Sequence, residues 1–552
     1  MKRMVRIVAA LAVLLGGADL RAQDFEIEEL SVPIPGEELE ATVTVFVDGP
    51  VSNGRLFYRP TGEVQYESVV PQQTGNMFSV VIPASAVTER GLDIYGEYAE
   101  DGELRTYPEQ NAAENPYRLP VYLGSFEVPI ELAPRQYRMV SVAADLGTGT
   151  ADGELTDDFG TPDIARWRAA RWDPAQEAYV EIPGAASSLT EGAAFWLITA
   201  TGGAFDIDAA SSTNPDSLPS ITLLPGFNQI GNPYAFPIAW DDVRGGADVG
   251  PLLAFNPASG DYDVASTLEP WTGYFVQSFE VQPVTFLVPP RESVGGGAVQ
   301  APETDYIVHI GARMGDRADL HNVVGFAATA ATGRDRLDLG EPPPIGEHVR
   351  VSVIENGERW MRSLKPVRAD GEMWDVEVTA SEELLTSGTQ RVTVSLSEEG
   401  VRPDGFELYV IDLDRGTAVQ RVGNTFEVAL SRDAPLRRLR LIAGTEAFAR
   451  TGSEGAPLEF TGFALDANYP NPFAEQTTIS YRLDARGPAT LEVFDLLGRR
   501  VRVLADGDHN AGAHSVEWDA RDASGRTVSN GLYLVRLRAG DASATRRASV
   551  LR

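Results

Sequence analysis

The sequence predicts an all-β, multi-domain chain of β-sandwich modules. Three observations point that way. First, apolar and polar residues alternate with period two in segment after segment, as in Val392, Val394 and Leu396 or Phe406, Leu408 and Val410. That is the pattern of a strand with one buried face. Second, turn formers separate these segments. The chain holds 53 glycines and 36 prolines, and clusters such as Pro60-Thr61-Gly62 and Asp101-Gly102 close strands at short intervals. Third, 552 residues exceed what one hydrophobic core organises, so about three to five domains are expected. The 43% of hydrophobic residues is enough to fill them.

The chain opens on Lys2, Arg3 and Arg6, an apolar run over residues 7–17 and a small residue at Ala22. The run is too short to span a bilayer, and basic start, apolar run and small residue stand in signal-peptide order. Residues 1–22 are therefore expected to be a signal peptide, with cleavage near Ala22, and no later run is apolar enough for a membrane span. Residues 24–130 read as a first sandwich. Val43, Val45 and Val47 alternate with Thr42, Thr44 and Phe46, and strands are expected at 56–59, 78–82 and 93–98. This segment is similar to the Ig-like modules of bacterial surface proteins.

Residues 131–294 hold an internal repeat, divided into 131–215 and 216–294. In the first copy Tyr137-Arg138-Met139-Val140 leads to Trp172-Asp173-Pro174, then Tyr179, then Gly192 and Phe195-Trp196. In the second, Phe227-Asn228-Gln229-Ile230 leads to Phe255-Asn256-Pro257, then Tyr262, then Gly273-Tyr274-Phe275. The aromatic-to-tyrosine spacing is seven in both, and the glycine that opens the later strand is offset by a two-residue indel. A repeat of about 80 residues is too long for a solenoid unit, so two related β-modules packed side by side are expected. One short helix is expected at 162–170, with Thr161 as its cap and Pro162 at the first helical position. A glycine-rich linker follows at 295–300, then a third sandwich at 301–445 interrupted by Pro342-Pro343-Pro344, then a linker at 446–464.

The last module, 465–552, is the most informative. Asn468-Tyr469-Pro470-Asn471-Pro472-Phe473 carries two prolines. These fix φ and remove backbone donors, so the segment is extended chain rather than ladder-paired strand. Leu491 and Val493 alternate with Glu492 and Phe494 in a strand ending near Asp495, and Leu497-Gly498-Arg499 turns into the next. Trp518 and Asp519 lead into a polar loop with Gly525 at its tip. Gly531 opens a last long strand marked by Tyr533, Val535 and Leu537, ahead of a basic end. The sum is one small antiparallel sandwich. In this order of motifs the module resembles the C-terminal sorting domain of type IX secretion cargo, found in the Bacteroidetes and neighbouring phyla. It also resembles the related Ig-like domain of flagellar hook-capping proteins. Ala474-Glu475 stands where such domains often carry Asn-Pro. The resemblance implies an Ig-like sorting domain, the type IX secretion machinery as partner, and a secreted or outer-membrane-surface location. Its motif falls on Asn468, Tyr469, Pro470, Asn471, Pro472, Phe473, Asp495, Gly498, Arg499, Trp518, Asp519, Gly525, Gly531 and Tyr533.

Charge and composition narrow the function. The formal net charge is −34, and the expected signal segment carries Lys2, Arg3, Arg6 and Arg21 against Asp19, a balance of +3, which puts the mature chain near −37. Nucleic-acid binding through phosphates needs a basic face and is not expected. Lysine occurs only at positions 2 and 365, an acidic and arginine-rich balance that fits a saline habitat or a GC-rich genome. With no cysteine, disulfides, thiolate metal sites and cysteine nucleophiles are all excluded. His309, His321, His348, His509 and His514 stand in no metal-ligand spacing, and no GxSxG, P-loop or Rossmann glycine pattern occurs. Acid pairs such as Asp157-Asp158 and Glu398-Glu399 are expected by chance in so acidic a chain. Asp506, Asp508, Asn510 and Glu517 approach a calcium-loop template, but its glycine is displaced by one and flanking helices are not expected. A β-loop calcium site could otherwise be sought at 152–158. Trp167, Trp172, Trp196, Trp240 and Trp271 raise a sugar-stacking reading against a core-packing one, which their strand positions favour. The expected function is a non-enzymatic structural or adhesive surface protein without cofactors, meeting cell-surface polysaccharide or other surface proteins. Its rivals are a carbohydrate-binding or glycan-processing protein and a secreted hydrolase.

Overall fold

The computed structural model describes residues 25–551 except 30–32, 46–49, 109–110, 147–150, 183–189, 213–217, 294–301, 386–387, 420–423, 456–463, 466–467, 484–485, 511 and 541. The expected signal peptide and the linker at 295–300 lie outside the described residues. The described secondary structure is overwhelmingly strand. The fold is all-β and multi-domain, in two compact units, Met1–Ala301 and Pro302–Arg552.

The first unit opens with two sheets that share a core. One runs Phe25–Glu29, Leu39–Val45, Met77–Ile82, Gln72–Thr74. The other runs Glu67–Val69, Val51–Pro60, Leu92–Glu100, Glu103–Tyr107, with Tyr117–Leu119 also paired to Leu92–Glu100. Alternation decides which face is buried: Phe78, Val80 and Ile82 point inward while Met77, Ser79 and Val81 are exposed. The inward set meets Leu39, Leu56, Tyr58 and Leu92. Asp93 is the buried exception, and its charge is paired: Arg59 and the Thr61 hydroxyl donate to its carboxylate at 3.0–3.1 Å.

The repeat is visible as topology. In the first copy a four-stranded sheet has the order Arg138–Ser141, Ala194–Thr199, Trp167–Asp173, Ala178–Ile182. In the second it is Gly226–Gly231, Gly273–Ser278, Leu252–Asn256, Asp261–Ala265. Each copy adds a two-stranded ribbon, Tyr122–Glu127 with Asp206–Ser211 and Ser220–Leu223 with Val284–Leu287. Tyr122–Glu127, expected in the first sandwich, thus belongs by its hydrogen bonds to the first copy. The spacing of seven is a hairpin: Trp172 lies opposite Tyr179 and Phe255 opposite Tyr262. The expected two-residue indel is in fact four residues long, the stretch from Tyr179 to the later strand being that much longer than the stretch from Tyr262. Val140 opposes Phe195 and Ile230 opposes Tyr274, so Ala194 corresponds to Gly273, and Gly192 to Trp271.

The copies meet across a pseudo-two-fold axis. Ala193 bridges Ile230 and Val140 bridges Thr272, each bridge being the other with the copies exchanged. The bonds Gly231 N–H to Gly192 O, 2.8 Å, and Ser141 N–H to Trp271 O, 3.1 Å, exchange in the same way.

The helix expected at 162–170 is not formed. Trp167–Asp173 is a strand paired on both sides, to Ala178–Ile182 and Ala194–Thr199, and these ladders outweigh the local Thr-Pro signal. The helix of this copy is Ala151–Phe159. Leu155, one turn before Phe159, is buried in the core that Phe159 packs against.

In the second unit, residues 305–444 build one continuous sheet of 11 strands. It includes a parallel pair, Arg317–Phe326 with Glu358–Lys365. The expected linker begins with a helix, Glu446–Gly452, capped by the Thr445 hydroxyl accepting from Phe448 N–H. The chain then forms a small sandwich. One sheet is Ala464–Leu465, Thr477–Leu483, Gly512–Trp518; the other is Arg500–His509, Gly487–Asp495, Gly531–Ala539, Ala542–Val550. Gly531–Ala539 is therefore not the last strand but the first arm of the final hairpin, paired on both sides. Leu491, Val493, Trp518, Val535 and Leu537 fill the core between the sheets.

Candidate functional site

The register of the C-terminal sandwich gathers the expected motif residues at one end. Asp495 lies opposite Tyr533, and Tyr533 opposite Ala548. Gly531 lies opposite Val550 and Trp518 opposite Thr477. Six strands begin or end here, so residues far apart in sequence converge on one pole. His509, opposite Gly487, marks the other.

Each part of the pole has a physical task. Pro470 and Pro472 follow cis bonds, and neither has an N–H to give. The Asn471 side-chain amide replaces the missing ladder. Its Oδ1 accepts from Ser549 N–H at 2.8 Å and its Nδ2 donates to Arg547 O at 3.1 Å. Phe473 then resumes backbone pairing, donating to Ser549 O and accepting from Leu551 N–H. Together they cover the end of the edge strand Ala542–Val550. Asn468 Nδ2 donates to Pro470 O and Thr477 Oγ1, while the Tyr469 ring is exposed. Beneath, the Trp518 ring sits 5.4 Å from both Phe473 and Tyr533. Its Nε1 donates to Arg521 O, and the Tyr533 hydroxyl donates to Ser529 O at 2.8 Å. Asp519 accepts from Arg521 N–H and pairs with Arg502 at 3.5 Å.

Two turns flank this core, and they are the same turn. In Asp495-Leu496-Leu497-Gly498-Arg499 the aspartate Oδ1 accepts from Leu497 N–H at 3.0 Å and Arg499 N–H at 2.9 Å. The glycine sits at φ 78° and the arginine reaches back to the aspartate at 2.6 Å. In Asp522-Ala523-Ser524-Gly525-Arg526 the aspartate Oδ1 accepts from Ser524 N–H and Arg526 N–H, both at 2.9 Å. The glycine sits at φ 79° and the arginine returns at 3.3 Å. Glycine is required at both positions because the left-handed backbone disfavours a Cβ. The Arg499 N–H, with its guanidinium, holds the Asp495 carboxyl below the usual carboxylate range. The Ser524 hydroxyl and Arg526 N–H push Asp522 down to about 2. Of this second turn only Gly525 is among the motif residues expected from the sequence. The signal that finds the rest is the echo of D-x-x-G-R at 495 and 522.

Asn468, Asn471, Asp495 and Asp522 are engaged with the pole's own backbone, and Tyr469, Leu496, Leu497, Arg499 and Arg526 are among the side chains it exposes to solvent. This is material for recognition. Elsewhere the candidates separate. Trp167, Trp196, Trp240 and Trp271 are buried and Trp172 is half-buried, so they do not form an exposed stacking platform. His309 faces Glu399 at 3.2 Å, burial holds the His348 pKa down, and His514 stacks on Tyr481. Asp506 and Asp508 stand in one strand and Glu517 in another, not in a helix-flanked loop. Residues 152–158 lie on a helix. There burial, and then a hydrogen bond with Asp206, push Asp158 up to about 6. Among the described residues no group of three or more His, Cys, Asp or Glu is placed to hold a metal. No helix among them is long and apolar enough to cross a membrane.

No curated protein shows a significant match to the chain. Among solved structures, the dimeric latent PorU of Porphyromonas gingivalis aligns at 8% identity over 96% of this chain with a TM-score of 0.16, and the chain spans 34% of its length. A tetra-tandem repeat from the extending region of a large adhesion protein aligns at 9% over 95% of this chain and 98% of its own, TM-score 0.14. PorZ of the type IX secretion system of P. gingivalis aligns at 14% over 93% of this chain and 74% of its own, TM-score 0.13. Scores of this size describe no common three-dimensional arrangement. The informative match is local: residues 471–543 match the FlgD Ig-like domain family, so the C-terminal sandwich, with most of its pole, is an Ig-like domain similar to that of the hook-capping proteins.

Proposed function

We propose that this chain is an exported, non-enzymatic structural or adhesive protein whose C-terminal Ig-like sandwich addresses it to the type IX secretion machinery. The observation that carries the reading is the convergence of the sorting motif. Asn468 to Phe473, Asp495, Gly498, Arg499, Trp518, Asp519, Gly525, Gly531 and Tyr533 share one pole of one domain. A motif that served only local turns would have no reason to collect there. The match of residues 471–543 to an Ig-like family supports the fold that such an address requires. The acidic modules ahead of it are the passenger, destined for the cell surface or medium.

A chain ending before Ser529 tests this. It loses Gly531–Ala539, which pairs on both sides, and Ala542–Val550. Leu491 and Val493 are then uncovered, and the sandwich should lose its fold and its address together. The full chain is expected on intact cells or in the medium and the truncated chain in the periplasm, read by antibody labelling and protease shaving. Surface exposure of the truncated chain would refute the assignment.

A further inference from the structure

The twin turns give an internal control. Both carry D-x-x-G-R, both use the aspartate to hold two backbone N–H groups, and both place glycine in the left-handed region. They differ at the two middle positions, Leu496-Leu497 in one and Ala523-Ser524 in the other. The second turn shows that the geometry does not need leucine. Yet Leu496 is 65% and Leu497 80% exposed, a standing cost in water that nothing inside the domain recovers.

These leucines line a groove of about 750 Å³ between the two turns, together with Leu532, itself 43% exposed. The volume lies within the range of ligand clefts, roughly 300–1,000 Å³. The electrostatics of the rim are one-sided. The side chains of Arg499 and Arg526 are 76% and 81% exposed, whereas Asp495 and Asp522 are only 20% and 27% exposed, turned into the backbone that they cap. Arg500, also on the rim, pairs with Glu492, whose side chain is 13% exposed. The charges balance in number, but the groove presents guanidinium and leucine outward and keeps its carboxylates underneath.

We infer that the groove between the twin turns docks a segment of a partner protein that brings an apolar side chain to Leu496, Leu497 and Leu532 and carboxylates to Arg499 and Arg526. Guanidinium to carboxylate is the strong, directional pairing available there, and leucine supplies the desolvated centre. This rests on the reading of the sandwich as an export address, and the partner is then a component of the export machinery.

The test grafts one turn onto the other: the full chain with Leu496→Ala and Leu497→Ser, expressed in the cells that produce it. The melting temperature is expected to be unchanged, because the sister turn folds with these residues. Surface-exposed protein should fall about tenfold, the effect of losing central interface contacts. Leu497→Ser alone should give a smaller loss in the same direction and decides the matter if the double variant unfolds. The chain ending before Ser529 runs alongside. If the truncated chain is retained but the grafted chain exports like the wild type, the docking assignment fails and the export reading stands. If the truncated chain is exported, both fall. If purified wild type self-associates in light scattering and the grafted chain does not, a second copy occupies the groove, which also overturns the assignment.

Discussion

Trp271 shows how a single residue can join two modules at a local cost. Its backbone lies at φ 60°, where its counterpart in the first copy is Gly192 at φ 74°. For a bulky residue that conformation costs about 1–2 kcal/mol. The return is that the ring leaves its own module and enters the core of the other, among Val140, Val142, Phe195 and Ile207, 5.4 Å from the Phe126 ring. Burying a ring of this size is worth about 3–5 kcal/mol against alanine, so packing wins. Two variants separate the terms. Trp271→Ala removes the ring and keeps the strained backbone, and should lose about 3–5 kcal/mol. Trp271→Gly removes the ring and relieves the strain, and should be more stable than the alanine variant by about 1 kcal/mol, the reverse of the usual alanine–glycine order in regular structure. Urea midpoints for the three chains measure both differences. Equal midpoints for the alanine and glycine variants would show that the backbone is not strained.

At the scale of elements, the pseudo-two-fold axis brings Ser141 against its own counterpart, Gly231. A Cβ on Gly231 would stand 2.1 Å from the Ser141 Cβ, which no side-chain rotation relieves. Gly231→Ala should therefore lose about 1–3 kcal/mol through overpacking. Adding Ser141→Gly exchanges the roles of the two copies and should restore most of the loss. Chemical denaturation of the single and double variants tests this, and a double variant no more stable than Gly231→Ala would place the strain elsewhere. The same region shows what was legible. The hairpins announced themselves because Trp172 and Tyr179, or Phe255 and Tyr262, are partners seven residues apart. The axis did not, since its contacts join positions such as Val140 and Thr272. Nor did the allegiance of Tyr122–Glu127, whose partner strand is Asp206–Ser211. The Thr161-Pro162 helix signal was real but local, and two ladders overrode it. In the C-terminal module the motif residues were legible one by one. Their meeting at one pole required the register of six strands, whereas the kinship of the two turns is written in the repeated D-x-x-G-R at 495 and 522.

The whole molecule is polarised in charge. Residues 465–552 carry twelve arginines against eleven aspartates and glutamates, a balance of +1, while the complete chain stands at −34. The acidity therefore lies in the modules ahead of the C-terminal sandwich. Ion pairs such as Arg90 with Glu292, 2.6 Å, and Arg440 with Asp375, 2.5 Å, use many of the available cations. With 80 acidic against 46 basic residues, most of the excess carboxylates have no cation left to pair with. Salt acts on both populations. It weakens exposed pairs worth about 0–1 kcal/mol each. It also screens the mutual repulsion of the excess carboxylates, with a screening length that falls from about 10 Å at 0.1 M to about 3 Å at 1 M. The second effect should win wherever carboxylates dominate, because compaction brings them together and the unfolded chain spreads them apart. Differential scanning calorimetry between 10 mM and 1 M sodium chloride should then show the transitions of the acidic modules moving to higher Tm, with separate transitions expected for a multi-domain chain. The C-terminal sandwich, nearly neutral, should melt at a Tm almost independent of salt. A chain ending at Gly455, which lacks the sandwich, identifies its transition by the peak that disappears. A parallel rise of all transitions would mean that salt acts through general exclusion from protein surface rather than through charge, and a flat or falling Tm in the acidic modules would mean that their carboxylates do not repel in the folded state.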